Sequence, residues 1–171
     1  LASNAFLATK ISFINEIGNI CKYVGIDTYE VAKGMGLDER IGNNFLNAGI
    51  GFGGSCLPKD VRGLLLKSKQ LNYDSRLLQE VMNLNDRQAL KVIELLKKHI
   101  SLKDATIGIL GLAFKPGTDD VRDSRAIRIV EALLQEGAKV KAHDPVAMDN
   151  FRRLFPNIEY VNRQEALNSD A

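Results

Sequence analysis

Between Thr106 and Asp144 the spacing of apolar residues changes twice, and this constrains the fold more than any other feature of the chain. Thr106-Ile107-Gly108-Ile109-Leu110 is a short β-branched, apolar run that stops at Gly111 and reads as a buried strand. Ser124 then precedes Ile127, Ile129, Val130, Leu133 and Leu134, one face of a helix that Gly137 ends. Lys139 to His143 forms a second strand, closed by Asp144-Pro145. Strand, helix and strand within about 40 residues require a parallel pair joined by a right-handed crossover. A helix at about 147–154, a short strand at 158–161 and a helix near 163–168 extend the pattern. The sequence therefore predicts the first half of a doubly wound parallel α/β domain.

Upstream the period is helical throughout. Leu7, Ile11, Ile14, Gly18, Cys21 and Val24 recur at three- and four-residue steps, one face of an amphipathic helix that closes near Gly25. Asp27-x-x-Glu30 is similar to a capping box, opening a short helix that Gly34 and Gly36 end. Pro58 suits the first turn of a helix running through Leu64, Leu65 and Leu66. A long helix at about 75–99 carries Leu77, Leu78, Val81, Leu84, Val92, Ile93, Leu95 and Leu96. Such faces pack helix on helix. The reading divides the chain into an all-helical region, 1–102, and an α/β region, 103–171. The chain opens without methionine inside a periodic segment and stops shortly after a helix, which reads as a piece of a longer protein cut at both ends.

Composition narrows the function classes. In 171 residues, 45% hydrophobic and 26% charged, there is material for a core without metal or disulfide staples. A net charge of +2, from 23 Lys and Arg against 21 Asp and Glu, gives no field that argues for nucleic acid or a membrane surface. No run approaches the roughly 18 unbroken apolar residues of a membrane span, and LASNAFLATK lacks the order of a signal peptide. The expectation is a soluble, cytoplasmic protein. Cys21 and Cys56, with His99 and His143, have no metal-ligand spacing and form no disulfide framework, so no metal is expected.

Chemistry concentrates between Gly42 and Asp60. Glycines at 42, 49, 51, 53 and 54 are too many for a packed helix or strand, because each raises the entropy lost on folding. They suit either a loop whose bare N–H groups approach a ligand or a mobile surface loop. Cys56 favours the first. It lies at the start of a helix, where the helix end and Lys59 both favour the nucleophilic form of a thiol, whereas Cys21 lies on an apolar face and reads as core. Asp60, one turn on, either does acid–base work beside the thiol or complements the helix dipole. Asn4 interrupts the first helix, and its position alone favours exposure.

Together these residues carry a resemblance. Gly51-Phe52-Gly53-Gly54-Ser55-Cys56-Leu57-Pro58-Lys59-Asp60, preceded by Asp38-Glu39-Arg40-Ile41-Gly42 and by Asn4-Ala5-Phe6-Leu7-Ala8, resembles the UDP-glucose/GDP-mannose dehydrogenase family. Gly108 to Lys115 and Thr118 to Ser124 are similar to that family's C-terminal nucleotide-binding domain. The resemblance covers nearly the whole chain. It implies a central helical dimerisation region followed by an incomplete Rossmann-like domain for the UDP end of the substrate, with the family's N-terminal NAD-binding domain lying outside the chain.

The implied chemistry is a twofold oxidation of a sugar C6 alcohol to a carboxylate with two NAD per turnover, through a cysteine thiohemiacetal and thioester. Cys56 would be the nucleophile, Asn4 a hydrogen-bond donor to the oxyanion or an organiser of water, and Asp60 the proton-transfer partner. The family's lysine four residues before that asparagine would fall immediately before Leu1, and Lys10 does not replace it. For substrate binding the resemblance implies Phe45, Leu46, Asn47, Ala48 and Gly49 along the sugar nucleotide, with Gly53 near the sugar and Lys115 as a cation. Arg40 would reach into the partner's site of a homodimer formed through the first helix, and Lys59 and Arg122 would face NAD.

UDP-glucose is the favoured substrate, with UDP-N-acetylhexosamines and GDP-mannose as alternatives. The other class of reading is a non-catalytic dimerisation and nucleotide-binding module, the isolated chain being expected to dimerise without turnover. Gly108, Gly111 and Asp144 echo a dinucleotide fingerprint, but the third glycine is missing and a long loop precedes the helix, so Asp144-Pro145 reads as a strand-ending turn.

Overall fold

The computed structural model describes all 171 residues. They pack as two units, residues 1–52 with 56–88 and residues 53–55 with 89–171. The sequence division at 102/103 follows the change of period. Packing instead assigns the end of a helix to the second unit, because Ala89 and Ile93 are buried in that unit's core.

The first unit is helical, as its periodicity predicts. Helix α1 (Ala2–Val24) ends at Gly25, whose φ of 71° lets its N–H return to the Cys21 carbonyl. Helix α2 (Thr28–Gly36) opens on Asp27, whose carboxylate accepts from the Tyr29 N–H at 2.8 Å. Helix α3 (Leu57–Gln70) carries Pro58 in its first turn, and α4 (Arg76–Leu96) follows. One core gathers Ala5, Ala8, Phe52, Val61, Val81 and Met82, and another gathers Ile14, Ala32 and Leu46.

The buried face of α1 differs from the expected one. It is Ala5, Ala8, Ser12, Ile14, Asn15, Gly18 and Cys21, while Val24 is exposed and Leu7 and Ile11 are only half-buried. Close approach selects small residues here. A Cβ on Gly18 would lie 3.1 Å from the Thr28 methyl and 3.3 Å from the Ala48 Cβ. Polar Ser12 and Asn15 are admitted because partners on other elements accept or donate to them. Phe6, Phe13 and Ile20, seven residues apart, stand exposed on another face.

The second unit is a parallel three-stranded sheet in the order β1-β2-β3, formed by β1 (Thr106–Leu110), β2 (Lys139–His143) and β3 (Glu159–Tyr160). Thr106 pairs with Lys139 and Leu110 with His143, so β1 and β2 are in register along their length. Helix α5 (Arg125–Gln135) makes the crossover, capped by Ser124, and packs Ile129, Val130 and Leu133 on Ile107 and Val140. Helices α6 (Met148–Arg152) and α7 (Arg163–Leu167) follow, the second closed by a capping box of Asn162 and Glu165. On the other side of β1, the Asp170 N–H donates to the Thr106 carbonyl at 2.9 Å and the Gly108 N–H to the Ala171 carbonyl at 2.8 Å. Leu110 is a correction to the buried-strand expectation. It is about half exposed, at the carboxyl end of β1 where the chain leaves the sheet.

Asp144 holds the loops at that end together. Its Oδ2 accepts from the Leu112 N–H at 2.8 Å and the Ala113 N–H at 3.3 Å, and its Oδ1 from Val146 and Ala147 at 2.9 Å each. Burial pushes this carboxyl up, but the four main-chain donors together hold it below its ordinary value. A carboxyl lowered in the fold stabilises the protein above its unfolded pKa of about 3.9, and that contribution is lost as pH falls through the lower folded value. Asp144→Ala is expected to cost about 3 kcal/mol at neutral pH in urea unfolding, since buried donors lose their acceptor. The gap to the wild type should narrow on acidification below about pH 4.

Candidate active site at the start of helix α3

Cys56 is the residue from which α3 starts, exposed and two residues before Pro58. Asp60 follows in the first turn of the helix, with its side chain largely buried. Its Oδ2 accepts from Asn4 Nδ2 at 2.6 Å, joining α1 to α3. Asn4 is thus half-buried and aimed at a carboxylate, which corrects the exposure that its position alone suggests. Lys59 Nζ lies 3.4 Å from Oδ1, near enough for attraction, yet Oδ1 is buried and makes no hydrogen bond. The Asn4 hydrogen bond, with smaller help from Lys59, outweighs burial and holds the Asp60 carboxyl below the usual carboxylate range. At neutral pH the site therefore presents an ionised carboxylate one turn from a thiol.

The loop of Phe45 to Gly49 is held from two helices. Leu46 is only 3% exposed and packs with Ile14 and Ala32, whereas Phe45, with φ 64°, Asn47 and Gly49 are exposed and Ala48 is half-buried. The Gly49 N–H donates to Asn15 Oδ1 at 2.7 Å, and its carbonyl accepts from Gln88 Nε2 at 2.9 Å. Asn19 Nδ2 donates to Gln88 Oε1 at 2.8 Å. Asn85 holds both main-chain groups of Phe52, accepting from its N–H at 2.7 Å and donating to its carbonyl at 3.0 Å. Sequence reasoning missed these carboxamides. The available signal was amides at helical steps on otherwise apolar faces, Asn15 with Asn19 and Asn85 with Gln88.

Lys10, on α1, has a structural task. Its Nζ donates to the Ile41 carbonyl at 2.8 Å, bracing the turn of Arg40 and Gly42. Arg40 itself is exposed and forks onto Asp38, with Nη2 to Oδ2 at 2.6 Å.

Three of the sequence-derived residues belong to the second unit. A Cβ on Gly53 would lie 2.3 Å from the Asp123 carbonyl oxygen, so only glycine fits. Gly54, with φ 86°, donates its N–H to the Arg122 carbonyl at 2.9 Å and lies against the Phe114 ring. Lys115 is exposed, its Nζ 5.4 Å from the centre of the Phe114 ring. The Arg122 guanidinium forks onto Asp120 at 2.7 to 3.1 Å, and these hydrogen bonds hold the Asp120 carboxyl down to about 2.

Asn4, Lys59, Asp60 and the backbone of Cys56 thus form one constellation, while Phe45 to Gly49 form a separately anchored loop in the same unit. A shallow groove of about 540 Å³ lies elsewhere, lined by Leu65, Ser68, Tyr73 and Gln79. It is at the far end of α3, roughly 20 Å along the helix from Cys56.

The second unit does not offer a dinucleotide site of the fingerprint type. Asp144 turns inward, its carboxylate accepting from four main-chain N–H groups. Gly108 is required by packing, since a Cβ there would lie 2.1 Å from the Ala166 carbonyl oxygen. No group of three His, Cys, Asp or Glu side chains is placed to hold a metal ion.

Comparison with known proteins identifies the family. A family model described as the central domain of the UDP-glucose/GDP-mannose dehydrogenase family matches residues 1–87, and one described as that family's UDP binding domain matches 108–171. The chain is 49% identical over 161 residues to a UDP-glucose 6-dehydrogenase of Haloferax volcanii, covering 94% of this chain and 37% of the relative. It is 54% identical over 148 residues to the UDP-glucose 6-dehydrogenase TuaD of Bacillus subtilis, covering 86% and 32% respectively. The solved structure of a UDP-glucose dehydrogenase from Pyrobaculum islandicum superposes with a TM-score of 0.89 at 43% identity, covering 97% of this chain and 39% of that one. The chain spans about a third of the length of the curated relatives it matches. With both of its regions matched in order and its cysteine motif intact, the chain belongs to the UDP-glucose/GDP-mannose dehydrogenase family.

Proposed function

We propose that these residues serve an NAD-dependent nucleotide-sugar 6-dehydrogenase that oxidises UDP-glucose to UDP-glucuronate in two hydride transfers. The observation that carries the reading is the Asn4–Asp60 hydrogen bond one turn from exposed Cys56. Close identity to UDP-glucose 6-dehydrogenases favours UDP-glucose over UDP-N-acetylhexosamines and GDP-mannose. In this reading residues 1–102 carry the cysteine and the self-association surface, and residues 103–171 receive the UDP end.

NAD supplies the hydride acceptor when bound. Lys59 and Arg122, both exposed, are the cations that would meet its charge in this reading. Once the C6 alcohol has become an aldehyde, Cys56 Sγ adds to the carbonyl carbon and a proton goes to the oxygen, giving a thiohemiacetal. Oxidation of that carbon leaves a thioester, and water then releases the carboxylate and restores the thiol. Asn4 steadies Asp60 as an ionised acceptor and has its second amide hydrogen for the oxyanion or the attacking water. Asp60, as the carboxylate bonded to Asn4, would take up the water's proton.

Phe45, Asn47, Ala48 and Gly49 would lie along the nucleotide sugar. Leu46, whose side chain is core, would contribute main chain only. Gly53 would let the backbone approach the sugar, and Lys115 would supply a cation. Exposed Phe6, Phe13 and Ile20 form an apolar stripe along α1 that suits a two-fold contact with a second copy, and Arg40 would then reach the partner's site. A cytoplasmic location belongs to the same reading; no helix here is long and apolar enough to cross a membrane.

In the full-length protein, Cys56→Ser is expected to lower kcat by about a thousandfold while leaving nucleotide-sugar affinity within about threefold, measured by NADH production and calorimetry. A fully active variant would remove the nucleophile. Phe13→Glu should shift the sedimentation coefficient to that of a smaller species, because a charge in a two-fold contact meets its own copy. Residues 1–171 alone should self-associate without producing NADH.

A further inference from the structure

We propose that Asn15 is a positioning residue for the substrate loop of Phe45 to Gly49, fixing the Gly49 main chain. The role rests on the nucleotide-sugar reading above. Asn15 is 1% exposed, in the middle of α1. Its Oδ1 accepts from the Gly49 N–H at 2.7 Å, while its Nδ2 is buried with no hydrogen-bond partner. An unpaired buried amide hydrogen destabilises the fold, and an apolar side chain of similar shape would avoid it. Nor does Gly49 need Asn15 to satisfy its N–H. Gly49 is exposed, and water could accept that hydrogen. The carboxamide therefore contributes little to stability that a leucine would not, and what it uniquely supplies is the orientation of one peptide group.

The surroundings extend that task. One turn along α1, Asn19 orients Gln88, whose Nε2 donates to the Gly49 carbonyl at 2.9 Å. Asn85 takes both main-chain groups of Phe52. Gly49 and Phe52 are thus pinned at N–H and carbonyl alike, and the turn between them passes through Gly51 at φ 107°. The loop is set before any ligand arrives, and pre-set main chain lowers the entropy lost on binding.

The test compares Asn15→Leu and Asn15→Ala in the full-length protein. Leucine fills the site and should leave the Tm at or above that of the wild type, whereas alanine opens a cavity and should lower it. In both, the KM for UDP-glucose should rise about tenfold or more, with the KM for NAD unchanged and kcat within about threefold. Amide exchange at Gly49 should quicken about tenfold in both. A KM that rises only in the variant with lowered Tm, or in neither, overturns the proposal, as does unchanged exchange. Absence of nucleotide-sugar binding by the wild type would instead reject the functional reading, and the exchange rates would still decide whether Asn15 holds the loop.

Discussion

A helix that turns polar side chains toward its neighbours must bond them there, and α1 does so from four positions on one face, leaving Asn15 Nδ2 without a partner. Asn4 meets Asp60 on α3, Ser12 the Val81 carbonyl on α4, Asn15 the Gly49 N–H and Asn19 the Gln88 side chain. From Asn4 to Asn19 the helix rises about 22 Å. Along that length it references both the acid beside the cysteine and the loop of Phe45 to Gly49. The small residues between them, Ala5, Ala8 and Gly18, let these elements come close enough to bond.

The two buried acids in the molecule show how setting decides role. Asp144 has both oxygens occupied by main-chain donors, so its charge organises loops and nothing else. Asp60 has one oxygen bonded to a side-chain amide and the other without a hydrogen bond, beside an ammonium. Both are held as carboxylates below the ordinary range. Only Asp60 keeps an oxygen without a hydrogen bond.

Much of the architecture was legible because the governing signals are local. Gly25, Asp27, Pro58, Ser124 and Gly137 cap or open elements at the positions their backbone chemistry predicts, and the strands of the α/β region fall where the β-branched runs lie. The burial of α1 was less legible. A period of 3.6 finds the apolar side of a helix but does not register a second, closely approached side lined by Ala, Ser, Asn and Gly.

The sequence by itself determined the order of elements, the helical and α/β regions, and the glycine-rich run ending in Cys56 and Asp60, because capping, periodicity and motif chemistry act over a few residues. Tertiary structure decided what each polar group does. It turned Asn4 toward a carboxylate 56 residues away, Asn15 toward a glycine 34 away and Asp144 toward Leu112, 32 away. It also gave Gly108 a packing role against the Ala166 carbonyl in place of a phosphate turn. A hydrogen bond depends on distance and direction in space, and chain separations of this size carry no local signal for either.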